Sequence, residues 1–439
     1  MGKQVANLIN TSPDSTQELD HLALSQPRQA RKKVLLHLHT PPIPTDGGDK
    51  RRLLGTLQYF RDRQRFFSVD VVVQNGFGNA TWTSGKQQEI LNFADQIFVY
   101  EGERNLLDFL YARSQSFYYQ TLLRQQLPID SDYFTPPGYI RFVRALMAQQ
   151  NYDYVLINYL EYAHLAVKSK SSQPQLLIDI HDIACQGRLA RKNVYPLKGR
   201  KFDYEANFTR EIALLNQFDA ILVNSQQEME ILQTHLAHQK LHFVPHLVQQ
   251  STDSGNFPSF QHRQFEYDLL FVGTGLGPNV EGLSFFLSQI FPKIVRENPE
   301  VRFAIAGAVS QFVQIDPALA PNIVCLGYVS SLSEVYLKSK VVICPLLNGA
   351  GTKVKLQEAM AHAVPIVTTI TGASGMALVD GFNAFITDDP VLYAQRILQL
   401  LQEPELAQMF SQKLDTTFQQ HYSNRAVYSK LDHLFQIAA

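Results

Sequence analysis

The stretch that decides the fold is Asn348-Gly-Ala-Gly-Thr-Lys-Val-Lys-Leu-Gln-Glu-Ala-Met-Ala-His-Ala-Val-Pro-Ile-Val-Thr-Thr369. It follows an apolar run, Lys340-Val-Val-Ile-Cys-Pro-Leu346, which is typical of a buried parallel strand. Its small residues predict a loop. A helix of about ten residues is predicted to follow the loop, with Thr352 as its N-cap. Pro365 then begins a second apolar strand. The sequence therefore predicts a strand, a glycine loop, a helix and another strand in close succession.

Two lysines stand at the predicted start of this helix, where the helix dipole is already positive. Lys353 and Lys355 are therefore unfavourable there unless an anion binds, and phosphate is the obvious candidate. Glu358 follows about two turns into the helix, within reach of sugar hydroxyls that lie beyond a phosphate. The alternative is an ordinary strand, loop and helix with solvated lysines.

The block Gly-Ala-Gly-Thr-Lys-Val-Lys-Leu-Gln-Glu-Ala-Met-Ala, with Pro-Ile-Val-Thr-Thr, resembles the donor-site signature of family 4 glycosyltransferases. That resemblance implies the GT-B fold, retaining chemistry and a nucleoside-diphosphate sugar held by Gly349, Ala350, Gly351 and Thr352. It assigns Glu358 to the nucleotide ribose. In the usual pattern a second glutamate grips the donor sugar, but alanine stands at that position here. The chain thus resembles a glycine-rich variant, in which ribose binding carries over and donor-sugar recognition does not.

Two further glycine loops follow predicted strands. Gly273 and Gly275 precede an apolar helix, which is the context of a phosphate loop, although the spacing is not the dinucleotide fingerprint. In many family 4 enzymes an arginine and a lysine near this loop neutralise the diphosphate, and this chain has neither; Asn279 ends the loop. Gly47 and Gly48 match the family's loop after the first strand, although a plain tight turn explains them equally well.

His181 follows the predicted strand Leu176–Ile180, at the carboxyl edge where α/β sheets bind ligands. By the same resemblance a histidine here contacts the transferred sugar, so His181 joins Lys353 and Lys355 as a candidate catalytic residue. A structural histidine bonded to a nearby carbonyl is the alternative. The resemblance also implies that Tyr328 lies beside the nucleotide base.

Strands and helices alternate twice along the chain, which predicts two Rossmann-like, doubly wound α/β domains facing across a cleft. The predicted strands begin at Lys33, Phe67, Gln96, Tyr154, Leu176, Ala220 and Leu241, and then at Tyr267, Val301, Ile323, Val341, Ile366 and Ala384. The predicted organisation is a flexible tail (1–30), an acceptor domain (31–250), a donor domain (260–420) and a helix crossing back to the first domain (421–439). A run of turn formers over 249–258 predicts the linker.

Composition fits this organisation. With 439 residues, 45% of them hydrophobic and 18% charged, the chain can bury more than one core. A formal net charge of -1 gives no support to nucleic-acid binding. The three cysteines are far apart, which favours small buried hydrophobes over disulfides or metal ligands. This cysteine usage fits a reducing, cytoplasmic compartment. No apolar run of about 18 residues occurs, so any membrane contact is expected to be peripheral, at the inner membrane face.

An aromatic insertion over 102–150 interrupts the first series of strands. It is either a helical layer packed on the sheet or part of a face that binds the acceptor.

Together these features predict a retaining, metal-independent glycosyltransferase with no bound cofactor. Its expected partners are a nucleotide sugar and an acceptor that is a glycan, a lipid-linked molecule or a small molecule. No metal-ligand spacing is present, so lysines and backbone amides are expected to stabilise the leaving diphosphate. Two other classes stay open. A sugar-nucleotide epimerase shares the fold but needs acidic residues around the donor sugar, and a catalytically silent GT-B binding module is favoured by Ala350 and the missing Arg/Lys pair. The sequence does not indicate an oligomeric state.

Overall fold

The structure is a computed structural model that describes residues 30–45, 47–76, 81–102, 105–166, 174–190, 199–248, 258–275, 277–349 and 352–437. The predicted tail and linker therefore lie almost wholly outside the described residues, as do Ala350 and Gly351 of the predicted donor loop.

The first domain is built on a parallel sheet. Its strands are β1 (Lys32–His37), β2 (Phe67–Asn75), β3 (Gln96–Glu101), β4 (Tyr154–Asn158), β5 (Gln175–Asp179), β6 (Ala220–Val223) and β7 (Leu241–Phe243). Its helices are α1 (Gly48–Asp62), α2 (Ser84–Ile90), α3 (Leu106–Ser116), α4 (Pro137–Gln150), α5 (Ala184–Ala190), α6 (Tyr204–Leu215) and α7 (Gln226–Gln233). The described strands lie in the order β3-β2-β1-β4-β5-β6-β7. The order reverses between β1 and β4, which opens a crevice at their carboxyl ends.

The second domain repeats the arrangement. Its strands are β8 (Tyr267–Val272), β9 (Phe303–Ala306), β10 (Ile323–Gly327), β11 (Ser339–Cys344), β12 (Ile366–Thr368) and β13 (Phe385–Ile386). The remaining helices are α8 (Gly277–Phe285), α9 (Phe291–Glu297), α10 (Leu332–Leu337), α11 (Val354–Ala361), α12 (Ile370–Ala373), α13 (Pro390–Gln402), α14 (Pro404–His421) and α15 (Asn424–Leu434). The order of its described strands is β10-β9-β8-β11-β12-β13, so the reversal falls between β8 and β11.

The predicted fold class is confirmed: the chain folds into two Rossmann-like α/β domains with parallel sheets. Each predicted strand is present, and its bounds differ from the prediction by no more than about two residues. The central strands are nearly continuous apolar runs, because helices cover both faces of a parallel sheet, and such runs are recognisable in the sequence. In β1, for example, the last four residues are all buried.

Two smaller expectations have different outcomes. Cys185 and Cys344 are buried free thiols, as predicted, but the same prediction is wrong for Cys325, which is exposed. Cys325 lies on β10, an edge strand of its sheet, and none of the described strands pairs with its outer side. Among the helices that the structure describes, none is long and apolar enough to cross a membrane.

The last helix, α15, packs on the first domain although it follows the second in the chain. Phe435, just after α15, lies in an aromatic cluster with ring centroids 5.9 Å from Tyr59 and 5.3 Å from Phe60. Asp432 accepts hydrogen bonds from Tyr59 Oη at 3.0 Å and from Arg63 Nη2 at 2.9 Å. The preceding helix α14 packs in the core of the second domain, so the C-terminal segment ties the two domains together.

We expect Phe435→Ala to destabilise the first domain by about 3–5 kcal/mol, because truncating a fully buried aromatic side chain leaves a cavity. Trp82 is the chain's one tryptophan and is buried in the same core, so its fluorescence during denaturant unfolding reports on this domain. The matched control is Phe117→Ala, which removes an exposed phenylalanine and should change the free energy of unfolding by less than about 0.5 kcal/mol. Equal, small effects of both changes would mean that α15 does not belong to this core.

Candidate active site

The crevices of the two sheets face each other across a cleft. The loop after β1 meets the start of α11, since a Cβ atom on Gly48 would lie 3.4 Å from Val354 Cγ2. One helical turn further along α1, Arg51 forms an ion pair with Glu358 of α11. A Cβ atom at position 48 would be in ordinary van der Waals contact with α11, so the backbone of one domain lies directly against a helix of the other. The two predicted ligand loops, which are distant in sequence, are brought together.

The prediction that Thr352 caps α11 is wrong. Lys353 occupies the N-cap position without a side-chain cap, and α11 has eight residues. The Thr352 hydroxyl instead donates to the carbonyl oxygen of Asn224 at 2.7 Å, in the first domain. Asn224 Nδ2 in turn donates to the carbonyl oxygen of His181 at 2.6 Å. The Thr352 hydroxyl therefore forms a hydrogen bond between the two domains. Through Asn224 it connects the second-domain loop to the backbone of His181.

Glu358 is held from both domains. Its carboxylate pairs with Arg51 from the first domain, and the Tyr336 hydroxyl lies 3.1 Å from its Oε2. Burial raises the pKa of Glu358, whereas the Arg51 guanidinium and the Tyr336 hydroxyl lower it. An acceptor held this way at the crevice can receive hydrogen bonds from hydroxyl groups of a ligand, in exchange for those of Arg51.

Lys355 points into the glycine loop of the second domain. Its Nζ donates to Asn279 Oδ1 at 2.6 Å and lies 4.3 Å from the centre of the Phe271 ring. Asn279 Nδ2 donates to the carbonyl oxygen of Thr274 at 3.1 Å, which fixes the orientation of the amide. Burial lowers the pKa of Lys355. A partly desolvated ammonium next to a glycine loop is suited to binding a phosphate.

Lys353 lies on another side of α11. Its side chain is 7% exposed, and its Nζ donates to the carbonyl oxygen of Gly349 at 3.3 Å. The nearby acid is Glu228 of the first domain; burial raises the pKa of Glu228 to about 7 and lowers that of Lys353. The two predicted lysines are therefore separated, and Lys355 is the one that contacts the residue closing the predicted phosphate loop.

His181 forms part of the opposite wall. Its backbone is left-handed (φ 57°), and its ring stacks on Tyr159 with centroids 4.1 Å apart. Its Nε2 lies 3.1 Å from Asn158 Oδ1; since Asn158 Nδ2 donates to the carbonyl oxygen of His37, Nε2 is the donor in this pair. Burial, followed by the charge of Arg52, lowers the pKa of His181 well below its ordinary value. The ring is thus neutral, and its Nδ1 is an acceptor.

Sequence reasoning missed the two arginines of α1. Arg52 is buried and donates from Nε to both carboxylate oxygens of Asp179, at 2.8 and 2.6 Å, and from Nη1 to the carbonyl oxygen of Val244. Arg51 is its neighbour in the chain and points to the cleft. A usable signal was present, because Arg51 lies about one helical turn after Gly48 and so on the side of α1 that carries the glycine loop.

The other predicted site residues have varied positions. Gly273 lies next to Asn279. A Cβ atom on Gly307, just after the neighbouring strand β9, would lie 2.2 Å from the Gly273 carbonyl oxygen, so only glycine fits there. Gly275 packs against the ring of Phe312. Gly47 is the N-cap of α1, and Gly349 has a φ of 130° that favours glycine. Tyr328 is 87% exposed after β10. Among the described residues, no group of three His, Cys, Asp or Glu side chains is arranged to hold a metal ion.

Comparison with known proteins gives matches of two kinds. Residues 266–403 match the family model described as "Glycosyl transferases group 1". An uncharacterized 44.6 kDa protein in the cps region of Klebsiella pneumoniae is 27% identical over 184 residues, which cover 39% of this chain and 47% of that protein. The chain thus spans about half the length of the curated relative it matches.

Solved structures are similar over nearly the whole chain. A variant of S. aureus TarM, in complex with fondaparinux, alpha-GlcNAc-glycerol and UDP, has a TM-score of 0.59 at 13% identity, covering 92% of this chain and 99% of that one. Sucrose-phosphate synthase from Thermosynechococcus elongatus has a TM-score of 0.61 at 15% identity, covering 92% and 98%. A putative UDP-N-acetylglucosamine 2-epimerase from Listeria monocytogenes has a TM-score of 0.53 at 11% identity, covering 93% and 98%. The chain therefore has the GT-B fold, and its second domain carries the match to group 1 glycosyl transferases.

Proposed function

We propose that the chain is a retaining glycosyltransferase that moves a sugar from a nucleoside-diphosphate sugar to an acceptor hydroxyl. The observation that carries this proposal is the placement of Lys355 and Glu358 on one helix at the second-domain crevice, with the first-domain wall of His181 opposite. The match of residues 266–403 to group 1 glycosyl transferases supports the same class of reaction. We also propose that the protein is cytoplasmic and that it acts in polysaccharide biosynthesis. The acceptor is a glycan, a lipid-linked molecule or a small molecule.

In this proposal Glu358 accepts hydrogen bonds from the ribose hydroxyls. Ribose takes over the position that the Arg51 guanidinium holds in the free protein, while Tyr336 continues to orient the carboxylate. The exchange keeps the buried carboxylate hydrogen-bonded throughout, since the ribose hydroxyls donate in place of the guanidinium.

The diphosphate is assigned to Lys355 and the backbone amides of the glycine loops. In the family whose donor-site signature the sequence resembles, an arginine and a lysine near residues 273–279 are expected to neutralise the diphosphate. In this chain Lys355 reaches that loop from α11 through Asn279. A lysine can neutralise charge as it develops on the leaving diphosphate, without a metal ion or other cofactor in the proposed mechanism. In this proposal Lys355 of α11 alone neutralises the diphosphate, in place of the missing arginine and lysine.

The transferred sugar lies between Lys355 and His181. The acceptor oxygen bonds to the anomeric carbon on the face that the diphosphate leaves, as the bond between that carbon and the phosphate oxygen breaks. The proton of the acceptor hydroxyl passes to the leaving phosphate oxygen, so no side-chain base is needed. The neutral His181 accepts a hydrogen bond from a sugar hydroxyl through Nδ1, and the protein acts mainly by positioning and charge stabilisation.

A catalytically silent GT-B binding module is the second candidate, because the free protein already satisfies Glu358 with Arg51. An epimerase is the third, since the fold alone is common to both classes. We would incubate the protein with a panel of nucleotide sugars and measure free nucleotide and the identity of the sugar. A transferase releases nucleoside diphosphate, an epimerase changes the sugar, and a silent module does neither. Either of the last two results would overturn the proposal.

We expect Glu358→Gln to weaken nucleoside-diphosphate binding at least about tenfold, because hydrogen bonds to a charged acceptor contribute about 1.5–3 kcal/mol. The matched control is Arg51→Gln, which breaks the same ion pair from the other side. If Glu358 binds ribose, calorimetry will show the loss with Glu358→Gln alone. Equal losses with both variants would mean that the pair only closes the cleft.

We expect Lys355→Ala to weaken the binding of a nucleoside diphosphate at least about tenfold and the binding of the corresponding nucleoside by less than about twofold. The reason is that only the diphosphate carries the negative charge with which Lys355 interacts. Lys353→Ala is the comparison, and both ligands should bind to it nearly as they do to wild type. Isothermal titration of the two ligands against the two variants measures this. If the nucleoside loses as much affinity as the diphosphate, Lys355 supports the fold rather than the phosphate.

For His181→Ala we expect kcat to fall by about tenfold to a hundredfold, while the affinity for bare nucleoside diphosphate stays nearly unchanged. The reason is that His181 belongs to the first domain, and only the sugar of the donor bridges the two walls. Steady-state kinetics with an active donor and calorimetry with the diphosphate measure the two effects. A lower melting temperature combined with normal specific activity would identify His181 as a structural histidine.

A further inference from the structure

Helix α3 has a reversed amphipathic pattern. Asp108 and Ala112, one helical turn apart, are buried against the domain. Leucines are exposed on the other side of the helix, and Leu107 is 75% exposed. Because a helix on the surface of a domain normally buries its leucines and exposes its acids, the outward face of α3 requires an explanation.

The buried aspartate fixes this orientation. Asp108 accepts a hydrogen bond from the Tyr100 hydroxyl and another from the backbone nitrogen of Gly138 at 3.0 Å. A Cβ atom at position 138 would lie 2.1 Å from the Asp108 carboxylate, so only glycine fits there. Turning the leucines inward would break both hydrogen bonds, and the exposed apolar face is therefore built into the fold.

The exposed apolar side chains form two groups along one side of a continuous helical segment. A π-helical turn, Phe117–Leu122, directly extends α3. We define the apolar patch as the six apolar residues of this segment that are more than half exposed: Leu106, Leu107, Leu110, Phe117, Tyr118 and Leu122. Contiguous exposed surfaces of this kind mark sites of interaction.

Ser114 lies between the two groups, four residues after Leu110 and four before Tyr118, and it is exposed. Its hydroxyl donates to the carbonyl oxygen of Tyr111 at 2.8 Å, so a partner can cover Ser114 without leaving the hydroxyl unpaired. A small side chain at this position also lets a second helix approach closely.

The spacing of the apolar patch is self-complementary. In an antiparallel pair of helices related by a two-fold axis at Ser114, each position before Ser114 meets the position equally far after it in the other copy. Leu106 then meets Leu122, and Leu110 meets Tyr118. Symmetry repeats each contact, so each group of the patch covers the other group of the second copy.

The charges at the two ends of the segment are opposite. Before it, Glu101 is exposed at the end of β3, and its carboxylate accepts a hydrogen bond from the neutral Asn75 amide at 3.0 Å. After it, Arg124 and Lys201 are exposed, and the backbone nitrogen of Lys201 donates to the Arg124 carbonyl oxygen at 2.9 Å. An antiparallel pair brings the acidic end of each copy to the basic end of the other, whereas a parallel pair would join like charges.

The other charges of the region are compatible with an antiparallel pair. Glu103 and Arg104 are neighbours in the sequence and offset each other. Arg113 lies near the axis, but its guanidinium packs over the ring of Phe109 on its own helix, 5.3 Å from the ring centre. The position that Arg113 meets in a second copy holds the neutral Gln115.

We propose that two copies of this chain form a dimer through the apolar patch, with their α3 helices antiparallel about a two-fold axis at Ser114. The matched apolar positions and the opposite charges at the two ends select a second copy over another apolar partner. Strand β3, which leads into α3, lies at one end of the described sheet, and β2 separates it from β1. The dimer therefore leaves the crevice between β1 and β4 accessible, and it does not rest on the proposed transfer reaction.

The first test is sedimentation velocity of the full-length protein without nucleotide. Wild type should sediment as a species of about twice the 49.8 kDa of one chain. Leu106→Ser/Leu110→Ser should raise the dissociation constant at least about tenfold. The matched control is Val391→Ser/Leu392→Ser, which replaces two exposed apolar residues of α13 and should dimerise as wild type does. Thermal melts check folding, and since all four side chains are exposed, the melting temperatures should stay nearly unchanged.

Charge reversal tests the antiparallel arrangement. Glu101→Lys and Arg124→Glu should each weaken the dimer about threefold or more, because like charges then meet at both ends. The double variant Glu101→Lys/Arg124→Glu should recover wild-type association, because opposite charges meet again. A loss that the double variant does not recover would exclude the antiparallel pair.

Ser114→Cys tests the position of the axis. Two cysteines at a two-fold axis lie close enough to form a disulfide, so mild oxidation should convert this variant to a covalent dimer. The controls are wild type, in which Cys325 is exposed, and Val391→Cys on α13. Both controls should remain monomeric on a non-reducing gel.

Three results would overturn the proposal. One is a wild-type protein that stays monomeric up to about 100 μM, and another is a leucine variant that dimerises as well as wild type. The third is a Ser114→Cys variant that forms no more covalent dimer than the controls, which would place the contact elsewhere. Flotation with lipid vesicles accompanies the first test, since vesicle binding by a monomeric wild type would assign the patch to a bilayer instead.

Discussion

The structure around the cleft depends on the buried ion pair between Arg52 and Asp179. Arg52 donates from Nε to both oxygens of the carboxylate and from Nη1 to the Val244 carbonyl, so one side chain ties α1 to the ends of β5 and β7. Removing one partner of such a pair leaves an uncompensated buried charge and costs about 3–5 kcal/mol. Because the pair fixes the rotation of α1 about its axis, it also fixes the direction of Arg51 and the close approach of Gly48 to α11.

A closed cleft follows from this constraint. With α1 fixed, Arg51 reaches Glu358, and the hydrogen bonds from Thr352 to Asn224 and from Asn224 to His181 form a second connection between the domains. Both connections end on residues assigned to ligand binding. A ligand that enters the cleft must therefore compete with contacts between domains, which couples binding to the relative position of the two domains.

Most of the fold could be predicted from the sequence, because each strand and turn is indicated by its own stretch of residues. Strands covered on both faces are apolar runs, and the turns between them carry glycine and proline, so every strand could be located without knowledge of its neighbours. The pairing of Arg51 with Glu358 could not be predicted, because it joins residues 307 positions apart. The cap at Thr352 was wrong for the same reason: local rules favoured a cap, but a carbonyl of the other domain competes for the hydroxyl. Lys353 and Lys355 are two positions apart, so the helical period separates their side chains, and only the fold decides which one meets the glycine loop.

The insertion after β3 illustrates what composition alone leaves undecided. Its aromatic content is equally consistent with a layer packed on the sheet or with an exposed face, and the structure divides it between the two. Tyr139 of α4 is fully buried and stacks on Tyr100, while the leucines of α3 remain outside. The division depends on Asp108, since an acid buried by Tyr100 and Gly138 leaves only the opposite, leucine-rich face for the exterior. Topology then decides where that face lies: a helix that starts at the carboxyl end of a parallel strand is placed at the ligand-binding edge of the sheet. The exposed leucines of α3 and the cleft therefore share one edge of the first domain as a consequence of how the chain is connected.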